Sequence, residues 1–93
     1  MKTFTVLLGN SDDKLTQKQW AEFVENTLHW IKKFCTEIYF SGGSPANTPW
    51  QNYSIVFSIE ENKVVWVKDN LIELRKKYNQ DSIAWIEGDT KLI

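Results

Sequence analysis

Two adjacent carboxylates, Asp12 and Asp13, stand in the polar stretch Asn10–Lys14 that follows an apolar run ending at Gly9. An ionised carboxylate only accepts hydrogen bonds, so a pair of them suits ribose hydroxyls or an amine. The same pair suits Mg²⁺ or Mn²⁺, which take one or two carboxylates and fill the rest of their shell with water. Further along, Trp50 precedes Gln51 and Asn52. The ring can stack on a base while the two amides pair with its edge. Asp81 stands in a third polar stretch, "NQDS". The three acids outnumber Lys14, so a bare polyanion is disfavoured unless a cation comes with it. The groups most used for proton transfer and nucleophilic attack lie elsewhere. His29, the one histidine, falls on the polar side of a helical pattern, one turn from Glu25. Cys35, the one cysteine, sits among apolar neighbours and reads as a small core residue. There is no zinc-ligand spacing, no Ser–His–Asp set, and "GNSDDK" lacks the spacing of a phosphate loop.

The elements that must position these residues belong to one domain of 93 residues, near the lower end of chains that fold alone. Hydrophobic residues make up 42% and charged residues 25%, the balance of an ordinary globular protein. Five tryptophans bring the aromatic share to 14%, an excess that either enlarges a small core or places rings in a pocket or a subunit interface. The net charge of −1 argues against nucleic acid or an anionic membrane as partner. A single cysteine excludes an internal disulfide and suits a reducing compartment. "MKTFTVLLGN" has too short an apolar run for a secretion signal and reads as a strand. No stretch reaches the roughly 20 apolar residues of a membrane span. The expectation is a cytoplasmic protein.

Phe4 to Leu8 is β-rich and nearly continuous in its apolar character, as a central strand covered on at least one face would be. Thr16 and Gln19 have capping-box spacing, and Leu15 and Trp20 stand where a hydrophobic staple would place them. The helix they open runs to about Phe34. Its stripe is Trp20, Val24, Leu28 and Ile31, widened by Phe23, Thr27, Trp30 and Phe34. "EIYFS", from Glu37 to Ser41, alternates as a second strand. "GGSPANTPWQN" then forms a long connection with two glycines and two prolines. Tyr53 to Glu60 is the clearest strand, with Tyr53, Ile55, Phe57 and Ile59 on one face. A second helix spans about Asn62 to Tyr78, with Val64, Val67, Leu71, Leu74 and Tyr78 in its stripe. Ser82 to Ile86 is a fourth strand, and "EGDT" offers a tight turn into a short fifth strand, Lys91 to Ile93.

The order β-α-β-β-α-β predicts an α+β, ferredoxin-like fold: a four-stranded antiparallel sheet with two helices on one face. Strand direction then brings three connections to one end of the sheet: "GNSDDK", "SGGSPANTPWQN" and "NQDS". Long loops in compact domains are often binding elements. The competing reading is that these residues simply make turns, since their side chains satisfy nearby backbone groups. The uncovered face of the sheet is the natural place for a homodimer contact. Trp30, Phe34, Trp66 and Trp85 are more aromatic surface than one core accommodates, and fourth-strand residues can face away from the helices.

The segments "GNSDDKLTQKQW", "PWQN" and "QDSIAW" together resemble a family of small bacterial and phage proteins carrying these blocks in this order. The resemblance covers about a third of the chain. It implies relatives among phage anti-defence proteins that sequester nucleotide-derived immune signals, such as NAD-derived molecules made by TIR-domain enzymes. It implies a shared site of Asn10, Ser11, Asp12, Asp13, Lys14, Trp50, Gln51, Asn52, Gln80, Asp81 and Ser82. The expectation is therefore a homodimer that holds a small nucleotide-like ligand, needing no cofactor and no catalytic group. The alternative is a metal-dependent phosphodiesterase or nuclease using Asp12, Asp13 and Asp81.

Overall fold

The computed structural model describes residues 2–45 and 48–93; part of the long connection, Ala46 and Asn47, lies outside the described residues. The strands are β1 (Lys2–Gly9), β2 (Glu37–Gly43), β3 (Asn52–Ser58) and β4 (Ala84–Asp89). The helices are α1 (Gln17–Phe34) and α2 (Val64–Lys77). The sheet order is β2-β3-β1-β4 with every neighbouring pair antiparallel. This is the ferredoxin-like α+β fold. Among the described residues no helix is long and apolar enough to cross a membrane.

Alternation decides what the sheet buries. Phe4, Val6 and Leu8 of β1 and Ile55 and Phe57 of β3 point to the helices and are almost wholly inaccessible. They meet Phe23 and Ile31 of α1 and Val67, Leu71 and Leu74 of α2. The capping box at the head of α1 is complete: Gln19 N–H donates to Thr16 Oγ1, and Thr16 N–H donates to Gln19 Oε1. The buried centre of α1 is Phe23, Thr27 and Ile31 rather than the Trp20–Val24–Leu28 line, whose members are only partly buried. Thr27 can sit there because its hydroxyl donates to Phe23 O at 2.8 Å. The buried residues of α2 are those its spacing predicts, save Val64, which is half-buried.

Strands β1 and β3 and helix α2 depart from expectation by one or two residues at their ends, and the larger departures are in β2 and β4. β2 continues through Gly42 and Gly43, and a side chain on Gly43 would collide with the carbonyl of Asn52. The closeness of that strand pair is why glycine stands there. β4 begins at Ala84 and runs to Asp89, so "EGDT" makes no turn. Glu87, Gly88 and Asp89 are drawn into the ladder opposite Phe4, Thr3 and Lys2. Lys91–Ile93 form no fifth strand, since Glu87, Gly88 and Asp89 are spent in β4 and leave no turn to bring the tail back. Trp85 faces the helices, its ring 5.5 Å from that of Phe4 and 5.9 Å from that of Phe57.

Candidate functional site

The end of β1 and the starts of β3 and β4 lie together, because Gly9 pairs with Asn52 and Leu7 with Ala84. The polar stretches beyond them are therefore neighbours, and they are bonded to one another. Asn10 N–H donates to Gln51 O at 3.2 Å. Asn10 Nδ2 donates to Gln51 Oε1 at 3.0 Å and to Leu15 O at 3.1 Å, while Asn10 Oδ1 accepts from Leu15 N–H. Ser11 N–H donates to Gln80 Oε1 at 2.7 Å, and Asp81 N–H donates to Ser11 Oγ at 3.3 Å. Lys14 Nζ reaches Asp81 at 3.0 Å and Asn79 O at 3.3 Å.

Most of this polar chemistry is directed inward. Gln51 and Gln80 are only 5% and 3% exposed. Gln51 Nε2 donates to Gln17 Oε1, and Gln80 Nε2 donates to Tyr78 O. Among the described residues every buried side-chain polar atom has a partner. Burying an amide without partners costs about 1–3 kcal/mol, so these bonds are what allows two glutamines to be core residues. Asn10, Ser11, Gln51 and Gln80 thus form a clasp that joins the three connections. Their side-chain amides and the Ser11 N–H are committed to the fold.

The remaining expected residues are dispersed around the clasp. Asp12 and Asp13 are exposed on a single 3-10 turn, both with positive φ (52° and 54°), and Asp13 Oδ1 accepts from Asn10 Nδ2 at 3.4 Å. Trp50 is 84% exposed and stands outside the grooves described here. Asn52 is occupied with Ser44: its N–H donates to Ser44 Oγ and its carbonyl accepts from Ser44 N–H. Asp81 and Ser82 are exposed at the mouth of a groove. Among the described residues no three His, Cys, Asp or Glu side chains come together as metal ligands would.

That groove, of about 300 Å³, runs between α2 and the start of β4. Its floor is Leu71, Ile72, Ile83 and Trp85. Lys68 and Arg75 stand on the helix side, Asp81 and Ser82 on the loop side. Lys68 Nζ lies 5.1 Å from the centre of the Trp85 ring and 3.7 Å from Glu87. Arg75 is held by the end of its own helix, donating to Gln80 O at 3.2 Å. Two further grooves flank α1. One, of about 440 Å³, lies against Lys14, Gln19 and Tyr78; the other, of about 540 Å³, against Trp20, Gln51 and Tyr53.

Sequence reasoning found the loop side of the first groove and missed its helix side. The missed residues Lys68, Ile72 and Arg75 recur at i, i+4 and i+7, one strip over from the buried stripe of α2. Two cations flanking an exposed isoleucine along one helical strip were the available signal. Fold and site together define a ferredoxin-like α+β domain with an amide clasp at its loop end and a mixed-charge apolar groove beside it. No protein-family model and no curated protein matches the chain.

Proposed function

We propose that this protein is a homodimeric, cytoplasmic binding protein that holds a small nucleotide-like ligand without turning it over. The observation that carries the reading is the groove between α2 and β4. Its volume is at the lower end of ligand pockets, roughly 300–1,000 Å³. Its apolar floor ends in an indole, a surface for a flat ring. Lys68 and Arg75 can meet a phosphate from one side, and Asp81 and Ser82 can meet sugar hydroxyls from the other. Asp12 and Asp13 sit beyond the clasp, and their charge favours a ligand with few phosphates. The clasp fixes the loop side of the groove, so the site is formed before the ligand arrives. The likeness of the three loop blocks to phage anti-defence proteins supports a sponge, which lowers the free concentration of an immune signal by mass action. A sponge needs affinity and abundance, and no nucleophile or general base.

Binding and turnover are separated by one experiment. The protein is incubated with NAD-derived and cyclic nucleotides, with and without Mn²⁺, then heat-denatured, and the supernatant is analysed by mass spectrometry. Intact ligand recovered in proportion to protein supports sequestration. Fragments that accumulate with time and depend on Mn²⁺ would establish the phosphodiesterase or nuclease instead. Lys68→Ala and Asp81→Asn each weaken retention about tenfold, the effect of losing one charge-assisted hydrogen bond.

A further inference from the structure

The sheet face turned away from the helices takes no part in the groove. Its surface can be read across the strands from the register. Phe40, Val56, Thr5 and Ile86 lie side by side in one row, and Gly42, Ser54, Leu7 and Ala84 in the next. A register shift between Ile38 and Phe40 puts Phe40 on this outer face, opposite Val56. Its ring lies along the sheet over Gly42, so close that a Cβ on that glycine would sit 3.0 Å from Phe40 Cζ. Phe40 and Ile86 are 56% and 48% exposed, at opposite ends of one row. Neither row holds an ionisable side chain, in a chain that is one quarter charged. The adjoining row brings the first charge, Glu37 at the corner.

We infer that this face is where two copies of the chain meet, sheet against sheet. The inference rests on the homodimer reading above and narrows the expected sheet face to two rows of named residues. A second copy is the occupant because the strip is uncharged and carries small or aliphatic side chains, Thr5, Ser54 and one aromatic ring. Two such strips meet without burying an unpaired ion. The net charge of −1 leaves little repulsion between the copies. Four strands about 4.8 Å apart and about six residues long give a footprint on the order of 400 Å² in projection, and more in accessible surface. A standard interface takes roughly 800 Å² of accessible surface from each partner, so the contact belongs toward the smaller end of stable dimers. The groove lies on the helix side of β4, so dimerisation leaves it open.

Sedimentation velocity from about 1 to about 500 μM tests the contact, alongside circular dichroism of each variant. The unaltered chain goes from monomer to dimer over this range. Ile86→Lys and Phe40→Asp, both on edge strands, keep the folded spectrum and raise the dissociation constant by about 100-fold. Should either variant fail to fold, cross-linking decides. In a Cys35→Ser background, Ala84→Cys cross-links between copies with a short bis-maleimide, whereas exposed Val65→Cys on α2 does not. A dimer that survives both substitutions, or that cross-links through Val65→Cys alone, overturns this location and leaves the homodimer reading standing. A monomer at every concentration overturns both.

Discussion

At the residue scale, the amides of Gln51 and Gln80 separate folding from binding. Each is buried with both ends of its amide engaged. Gln80→Leu keeps the volume and leaves Ser11 N–H without its acceptor, so it costs about 1–3 kcal/mol. Urea denaturation measures that loss. Ligand retained per folded molecule is expected to fall by no more than about threefold, through a loosened loop side of the groove, whereas Lys68→Ala is expected to cost about tenfold in retention with stability nearly unchanged. If Gln80→Leu abolished binding while leaving stability intact, the clasp would be the site and the groove would not. Asp12 and Asp13 occupy left-handed backbone that costs most L-residues about 1–2 kcal/mol and costs aspartate less. A buried amide and an exposed ligand-reading amide have the same letter in the sequence. For that reason the expected site included both kinds.

At the element scale, each helix terminus is set by local chemistry. The end of α2 is a Schellman arrangement: Gln80 N–H donates to Arg75 O, and Asn79 N–H donates to Lys76 O. Asn79 is the left-handed residue within it, with φ of 51°. Asn79→Ala is expected to lose about 1 kcal/mol while Asn79→Gly loses none, as read from thermal unfolding. Thr16→Ala removes the capping box of α1 at a cost of about 1 kcal/mol. The bottom of the sheet is tied by charge. Glu87 of β4 accepts from Trp85 Nε1 at 3.0 Å and has Lys2 of β1 and Lys68 of α2 within 3.7 Å. The indole hydrogen bond, then the two ammonium groups, hold its carboxyl below the ordinary glutamate range. A lowered folded pKa means that the unfolded chain binds the proton first as pH falls. The stabilisation is fully present above the ordinary glutamate pKa and is lost as pH falls through the lowered folded value. The stability difference between the unaltered chain and Glu87→Gln should therefore be positive near neutrality and shrink as pH falls below the ordinary glutamate range. A difference that grew on acidification would refute this account.

At the scale of the whole molecule, antiparallel order gathers three polar connections at one end and leaves one sheet face uncovered. The first consequence places the groove and the second places the inferred dimer contact. They lie on opposite sides of β4, so ligand binding and self-association are expected to be independent. Isothermal titration at protein concentrations below and above the dimer midpoint should return the same dissociation constant to within about twofold. A tenfold change would mean that a second copy reaches the groove. Trp85 belongs to this scale too. Its direction was open as long as β4 had no register. Once Val6 is its partner, it faces inward with Val6 and supplies the groove with its indole.

Taken alone, the sequence determined what depends on near neighbours in the chain. The capping box at Thr16 and Gln19, the stripe of α2 and the alternation of β3 are local patterns whose energy is local. Their order was enough to require the ferredoxin-like topology and the meeting of three loops. Only the tertiary structure decided what depends on distant partners. It fixed the bulge that turns Phe40 outward and the extra length of β4 that leaves Lys91–Ile93 without a partner strand. It also buried Gln51 and Gln80 and brought Lys68 and Arg75 into the groove. Those outcomes follow from which groups lie opposite one another across the sheet and between α2 and β4. Such long-range distances are fixed by packing and are not written in any short stretch of residues.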